Sequence, residues 1–155
     1  MKILVISDTH GSVGPILTAI DRVKPDVIIH LGDGVSDLRD VNFKGQIYAV
    51  RGNHDRNPRL KKMGKLSYGK TVILYLHGDG YNVHNEREKL VNFVNQQGAD
   101  IVLFGHSHKQ EYYERNGVQF VNPGYMAERS TATYAVIEFK DEDSKPEITH
   151  HAIMD

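Results

Sequence analysis

The chain has 155 residues, a formal net charge of −1 and no cysteine. This excludes disulfides, thiolate catalysis and sulfur-ligated zinc, and it gives no electrostatic reason to expect a nucleic-acid or membrane coat protein. Apolar content of 39% and charged content of 25% are ordinary for a globular chain, and this length suffices for one domain over 1–155 that buries roughly 70% of its unfolded surface. The apolar start Ile3–Ile6 meets Asp8 too soon for a secretory signal, and no run approaches the ~18 apolar residues of a membrane span. A cytoplasmic protein with no membrane partner is the expectation. Nine histidines are the one compositional oddity.

In chain order, Ile3–Ile6 has the aliphatic character of a buried parallel strand. Val13, Ile16, Leu17, Ile20 and Val23 recur at helical spacing, with Pro15 suited to a first turn. Val27–Leu31 and Ile47–Val50 predict two more buried strands. Tyr68-Gly69-Lys70 predicts a turn into a strand over Thr71–Leu76. A second helix is predicted from Asn85 to Gln97, with Asn85 as cap, Glu88 three residues on and Gly98 at its end. Ile101–Phe104 follows as a strand. Glu111–Arg115 and Val118–Val121 form a hairpin through Asn116-Gly117. Thr133–Phe139 and Pro146–Ile153 close the chain around the polar turn Asp141–Ser144. The order is βαβ first and antiparallel hairpins last, which predicts an α/β fold of two packed β-sheets flanked by helices.

Five of these apolar runs end alike. The first delivers Asp8 and His10, the second Asp33, the third Asn53 and His54, the fourth His77, and the fifth His106 and His108. Ligands of open α/β sheets bind beyond the carboxyl ends of the strands, so five such endings predict a metal site. Gly32, Gly52, Gly78 and Gly105 would let the chain turn sharply off each strand. Alone, each piece has a plain structural explanation: a helix cap at Asp8, a turn at Gly32-Asp33, a hydrogen-bonded core histidine at His77. Five such coincidences together are improbable. His30, inside its strand, reads as a core or supporting histidine. His84 fits a surface loop, and His150 and His151 read as structural or solvated.

Asp8-Thr9-His10, Gly32-Asp33, Gly52-Asn53-His54-Asp55, His77-Gly78 and Gly105-His106-Ser107-His108 together resemble the calcineurin-like metallophosphoesterases, and Asn122-Pro123-Gly124 resembles a further family motif. The length is similar to the small bacterial and archaeal phosphodiesterase branch. The resemblance implies a fold of two β-sheets between helices (αββα). It also implies that Asp8, His10, Asp33 and His108 hold one divalent metal ion, and that Asp33, Asn53, His77 and His106 hold the second, with Asp33 bridging. Such sulfur-free ligands suit Mn²⁺, Ni²⁺, Fe or Zn²⁺ better than Ca²⁺, and Mn²⁺ is the first choice. Two such ions make hydroxide available at neutral pH for in-line attack on phosphorus. His54, next to a ligand, is expected to face substrate as a catalytic acid or charge stabiliser, with Asp55 orienting its ring. Two departures from the family pattern stand out: Asp79 where many relatives carry a second histidine, and Tyr125 where many carry serine.

The expected substrate is a small phosphodiester, with nucleotide-like compounds among the options and no stable nucleic-acid partner. A homo-oligomer is compatible with the sequence. The alternatives are a phosphomonoesterase or nuclease with the same site, and a non-catalytic scaffold like the retromer subunit that shares this fold. Residues 51–65 carry Arg51, Arg56, Arg59, Lys61, Lys62 and Lys65 against the single acid Asp55. They form either a solvated loop or a positive lip that attracts anionic substrate.

Overall fold

A computed structural model of the chain describes residues 1–81 and 83–154. The first sheet contains β1 (Lys2–Ile6), β2 (Val27–His30), β3 (Gln46–Ala49), β9 (Thr133–Glu138) and β10 (Glu147–Ala152), in the order β10-β9-β1-β2-β3. The second contains β4 (Met63–Tyr68), β5 (Thr71–Leu76), β6 (Ile101–Leu103), β7 (Gln110–Arg115) and β8 (Val118–Pro123), in the order β4-β5-β6-β8-β7. β1, β2 and β3 run parallel, as do β5, β6 and β8, while hairpins or returning strands supply the antiparallel edges.

Alternation along β1 shows why the sheets must be covered on both faces. Ile3 and Val5 enter the layer between the sheets, where they meet Ile29, Ile73, Leu103, Val121 and Phe139. Leu4 and Ile6 face the other way, into a layer with Ile16 and Ala19 of α1 (Val13–Val23). The second sheet repeats the scheme: Leu74, Val102 and Phe120 pack with Leu90, Val91 and Val94 of α2 (Glu88–Val94). The result is the expected arrangement of two sheets between helices. Among the described residues, no helix is long and apolar enough to cross a membrane.

Two local expectations change. The second helix starts at Glu88 instead of Asn85 and stops at Val94. Arg87 stacks its guanidinium 4.3 Å from the Tyr113 ring centroid, and Glu88 pairs with Arg115, so side-chain contacts to β7 fix the start instead of an Asn85 cap. The basic segment also runs into a strand, β4, which pairs antiparallel with β5. Gly64 sits opposite Tyr75, and a Cβ there would lie 2.2 Å from the tyrosine ring. The strand therefore needs a glycine inside a half-buried, lysine-bearing edge, which hides it from an apolar pattern.

His30 ends β2 fully buried. The Gly32 N–H donates to its Nδ1 at 3.0 Å, so Nε2 carries the proton and donates to Thr9 Oγ1, also at 3.0 Å. Thr9 in turn donates to Asp37 Oδ2 at 2.5 Å. The ring is thus satisfied only when neutral, and burial pushes it down from 6.5 to about 4 despite the nearby carboxylates of Asp55 and Asp37. A histidine lowered in the folded state contributes stability that is complete above its unfolded value and is lost as pH falls toward the folded one. Between pH 6.5 and 4, metal-free protein is expected to lose up to about 3 kcal/mol of stability that His30→Gln does not lose. Urea denaturation of both proteins across that range measures the difference, and equal slopes would show that His30 does not titrate on unfolding.

Candidate metal centre

The segments leaving β1, β2, β3, β5 and β6 meet at one edge of the sandwich. Backbone bonds lock the segments to one another: Asp8 N–H to Gly32 O at 2.9 Å, His10 N–H to Asp33 O at 3.2 Å and Gly105 N–H to His77 O at 2.9 Å. No predicted ligand caps α1, whose N-cap is Ser12. All seven predicted metal ligands, Asp8, His10, Asp33, Asn53, His77, His106 and His108, are brought to this edge.

Backbone strain is concentrated here. Asp8, His10, Asp33, His106 and His108 all have φ between 42° and 70°, in the left-handed region. Such a conformation costs an L-residue on the order of 1–3 kcal/mol and persists only where surrounding structure enforces it. The flanking glycines act in two ways. Gly32 and Gly78 supply positive φ, at 106° and 100°. Gly52 supplies space, since a Cβ there would lie 2.1 Å from Asp33 Oδ1.

Asp8 is fully buried. Its Oδ2 accepts from Ser7 Oγ at 2.5 Å and from the His106 N–H at 3.3 Å. Its Oδ1 has no hydrogen-bond partner among the described residues, yet it faces His108 Nε2 at 3.3 Å, His10 Nε2 at 3.8 Å and His77 Nε2 at 3.9 Å. Asp33 is built the same way: Oδ1 takes the His54 N–H at 2.8 Å, and Oδ2 lies 3.3 Å from His77 Nε2 and 3.9 Å from His10 Nε2. Burial alone would raise the Asp33 carboxyl, but His77 and the His54 N–H together hold it at about 2.

His77 fixes the polarity of the centre. Its Nδ1 lies 2.8 Å from Leu31 O, which can only accept, so Nδ1 carries the proton. Nε2 then meets Asn53 Oδ1 at 2.9 Å, Asp33 Oδ2 and His106 Nδ1 at 3.2 Å. Burial disfavours a charged His77, yet the Asp33 contact and the field of Asp8 raise it overall. His106 moves the other way, lowered by burial and by its histidine neighbours His77 and His84. Oxygens of two carboxylates and an amide and ring nitrogens of several imidazoles thus converge, an arrangement that suits cations. Among the described residues, Asp8, His10 and His108 form one group whose candidate ligand atoms all lie within 4.8 Å of one another, and Asp33, His77 and His106 form a second. Asn53 reaches the second group through His77.

His54 is exposed, with its ring centroid 5.5 Å from that of His10, at the mouth of a cleft. Asp55 does not touch that ring, contrary to the expectation. Its carboxylate accepts four backbone N–H groups, from Asp33, Gly34, Val35 and Gly52, at 2.8 to 3.2 Å. Burial raises this carboxyl less than those four donors lower it. Asp55 is therefore the clamp that holds the Asp33 loop against the Asn53 loop. Sequence reasoning missed this and the roles of Ser7, Asp37 and Asn122. Asn122 donates to Gly105 O and Ser107 Oγ and accepts from the Gly124 N–H, which supports the histidine loop. The Asn-Pro-Gly motif was the available signal. Tyr125 stacks flat on His108 with centroids 4.8 Å apart, and Asp79 is exposed beyond His77. His84 is exposed, with its ring 4.9 Å from that of His106.

Residues 1–142 match the model of the calcineurin-like phosphoesterase superfamily domain. The chain belongs to that superfamily. It is 32% identical over 151 residues to a probable metallophosphoesterase, YsnB, of Bacillus subtilis, covering 92% of this chain and 86% of the relative. It is 28% identical over 138 residues to a phosphodiesterase of Methanocaldococcus jannaschii, covering 80% and 83% of the two chains. The fold is similar to that of a zinc-complexed Vps29 from Entamoeba histolytica, with a TM-score of 0.75, 21% identity and 99% of each chain covered.

Gly52→Ala is expected to weaken divalent-metal binding about 10- to 100-fold by displacing Asp33. Gly80→Ala, which meets nothing within 4 Å, serves as the control and is expected to bind normally. Calorimetric titration with Mn²⁺ measures both, and unchanged binding in Gly52→Ala would refute the close-contact argument.

Proposed function

We propose that this chain is a dinuclear-metal phosphodiesterase acting on small phosphodiesters. The observation that carries the reading is the unpartnered Asp8 Oδ1, fully buried and surrounded at 3.3 to 3.9 Å by three imidazole nitrogens. A buried anionic oxygen left in that state costs several kcal/mol unless a cation occupies the space between. Asp8, His10 and His108 would hold one ion and Asn53, His77 and His106 the other, with Asp33 reaching both sides through Oδ2. When bound, two divalent cations such as Mn²⁺ activate water at neutral pH and neutralise charge on phosphoryl oxygens.

The chain's own residues do the rest. Asp8 and Asp33 supply the negative charge that retains cations, and the Leu31 carbonyl fixes the His77 tautomer. The His54 ring, beside His10 but outside the ligand groups, is placed to give a proton to the leaving oxygen or to stabilise phosphoryl charge. The cleft of about 1100 Å³ on the His10–His54 side leaves room for a second ester substituent, which favours a diester over a monoester. The scaffold reading predicts metal binding without turnover.

Bis-p-nitrophenyl phosphate hydrolysis dependent on added Mn²⁺ or a similar ion is the expected result. Its absence under every divalent metal, with metals bound, would favour the scaffold. His54→Ala is expected to keep both metals by elemental analysis and to lose 10²–10⁴-fold in kcat. Near wild-type turnover would reduce His54 to a loop residue. Asp55→Ala is expected to lower metal affinity and Tm together, because four amides lose their acceptor, whereas a role confined to the His54 ring would leave Tm unchanged.

A further inference from the structure

The cleft that opens from His10 and His54 continues over the short 3-10 helix Val35–Asp40 and the segment after β3. Three arginines line it: Arg39 from the 3-10 helix, and Arg56 and Arg59 from the basic segment. Leu38, Leu60 and the 40% exposed Ile47 supply apolar wall between them. Two acids also line the cleft, Asp37 and Asp55, and both are committed elsewhere. Asp37 Oδ2 takes Thr9 Oγ1 and the Gly11 N–H, and Asp55 takes its four amides. The arginine side chains that pair among the described residues are Arg22, Arg87, Arg115 and Arg129, none of which lines this cleft. Arg39, Arg56 and Arg59 are exposed, and their guanidinium groups make no hydrogen bond or ion pair with the described residues.

The basic segment itself divides. Lys65 turns its amine to the Gln97 carbonyl, and Lys61 and Lys62 do not line the cleft. The positive charge at the site therefore comes from arginines of two separate segments, one of which the sequence pattern did not include. Guanidinium is suited to bidentate contact with phosphate oxygens, and an apolar wall suits a nucleoside-sized body.

We propose that Arg39, Arg56 and Arg59 form a subsite for a second phosphate beside the metal centre. Preferred substrates are then phosphodiesters that carry a further phosphate on a nucleoside-like body, such as short 5′-phosphorylated oligonucleotides. This rests on the phosphodiesterase reading for the reaction, but not for the binding. The test compares wild type with R39Q/R56Q/R59Q, three exposed positions outside the metal ligands. The probes are a 5′-phosphorylated thymidine dinucleotide, the same dinucleotide without that phosphate, and bis-p-nitrophenyl phosphate.

In wild type at low salt, the terminal phosphate is expected to raise kcat/KM about tenfold or more, the effect of one charge-assisted phosphate contact. The variant loses that advantage while turning over bis-p-nitrophenyl phosphate within about twofold of wild type. The advantage shrinks as salt rises, because screening at about 0.15 M limits reach to ~8 Å. Calorimetric binding of the phosphorylated dinucleotide to chelator-treated protein, which cannot turn it over, is expected to weaken about tenfold in the variant. Where the probes are hydrolysed, no phosphate advantage in wild type, or an advantage kept in the variant, overturns the subsite. Weakened metal-free binding in a protein that hydrolyses none of the probes supports the subsite and defeats the phosphodiesterase reading. Turnover of bis-p-nitrophenyl phosphate with metal-free binding unchanged does the reverse.

Discussion

Two buried carboxylates at the end of a β-sandwich, one of them with an oxygen that the described residues leave unpaired, set the constraint on everything around them. Asp8 and Asp33 are almost wholly inaccessible, and water cannot offset their charge. Each spends one oxygen on backbone or hydroxyl donors and turns the other toward imidazole nitrogens at 3.3 to 3.9 Å, where Asp33 meets His77 and Asp8 Oδ1 makes no hydrogen bond with the described residues. Holding two anions this close requires a fixed frame. Interleaved loops bonded backbone to backbone provide it, and five left-handed residues among the seven candidate ligands record its cost.

The frame draws on both sheets. Asp8, His10, Asp33 and Asn53 follow strands of the first sheet, while His77, His106 and His108 follow strands of the second. Neither sheet has a complete set, so the layer of Ile29, Ile73 and Leu103 between the sheets also sets the distances within the centre. Around it stands a ring of supports. Asp55 gathers four amides, Asn122 braces the Gly105–Ser107 turn, and Tyr125 lies flat on His108. Tyr125 and Asp79, which depart from the family pattern, both lie at the outer rim, where they can alter the approach to the centre without removing a ligand.

The sequence by itself determined the layered fold and which histidines, carboxylates and amide gather at one edge of it as candidate metal ligands. Both depend on short-range regularities: apolar runs of strand length, each followed at once by a histidine, carboxylate or amide. The supports were not legible. Asp55 looked like a partner for its neighbour His54, and only the approach of two loops more than twenty residues apart gives its oxygens to four backbone amides. Strand β4 was hidden because its glycine makes room for Tyr75 across the sheet, a contact invisible along the chain. The helix start at Glu88 likewise depends on Arg115 and Tyr113 from β7. Arg39 joined Arg56 and Arg59 only when the chain folded, because a charged cleft is a property of surfaces brought together. Local periodicity reports which residues are buried, whereas hydrogen-bond partners and fields depend on distance in space, and that the tertiary structure alone decided.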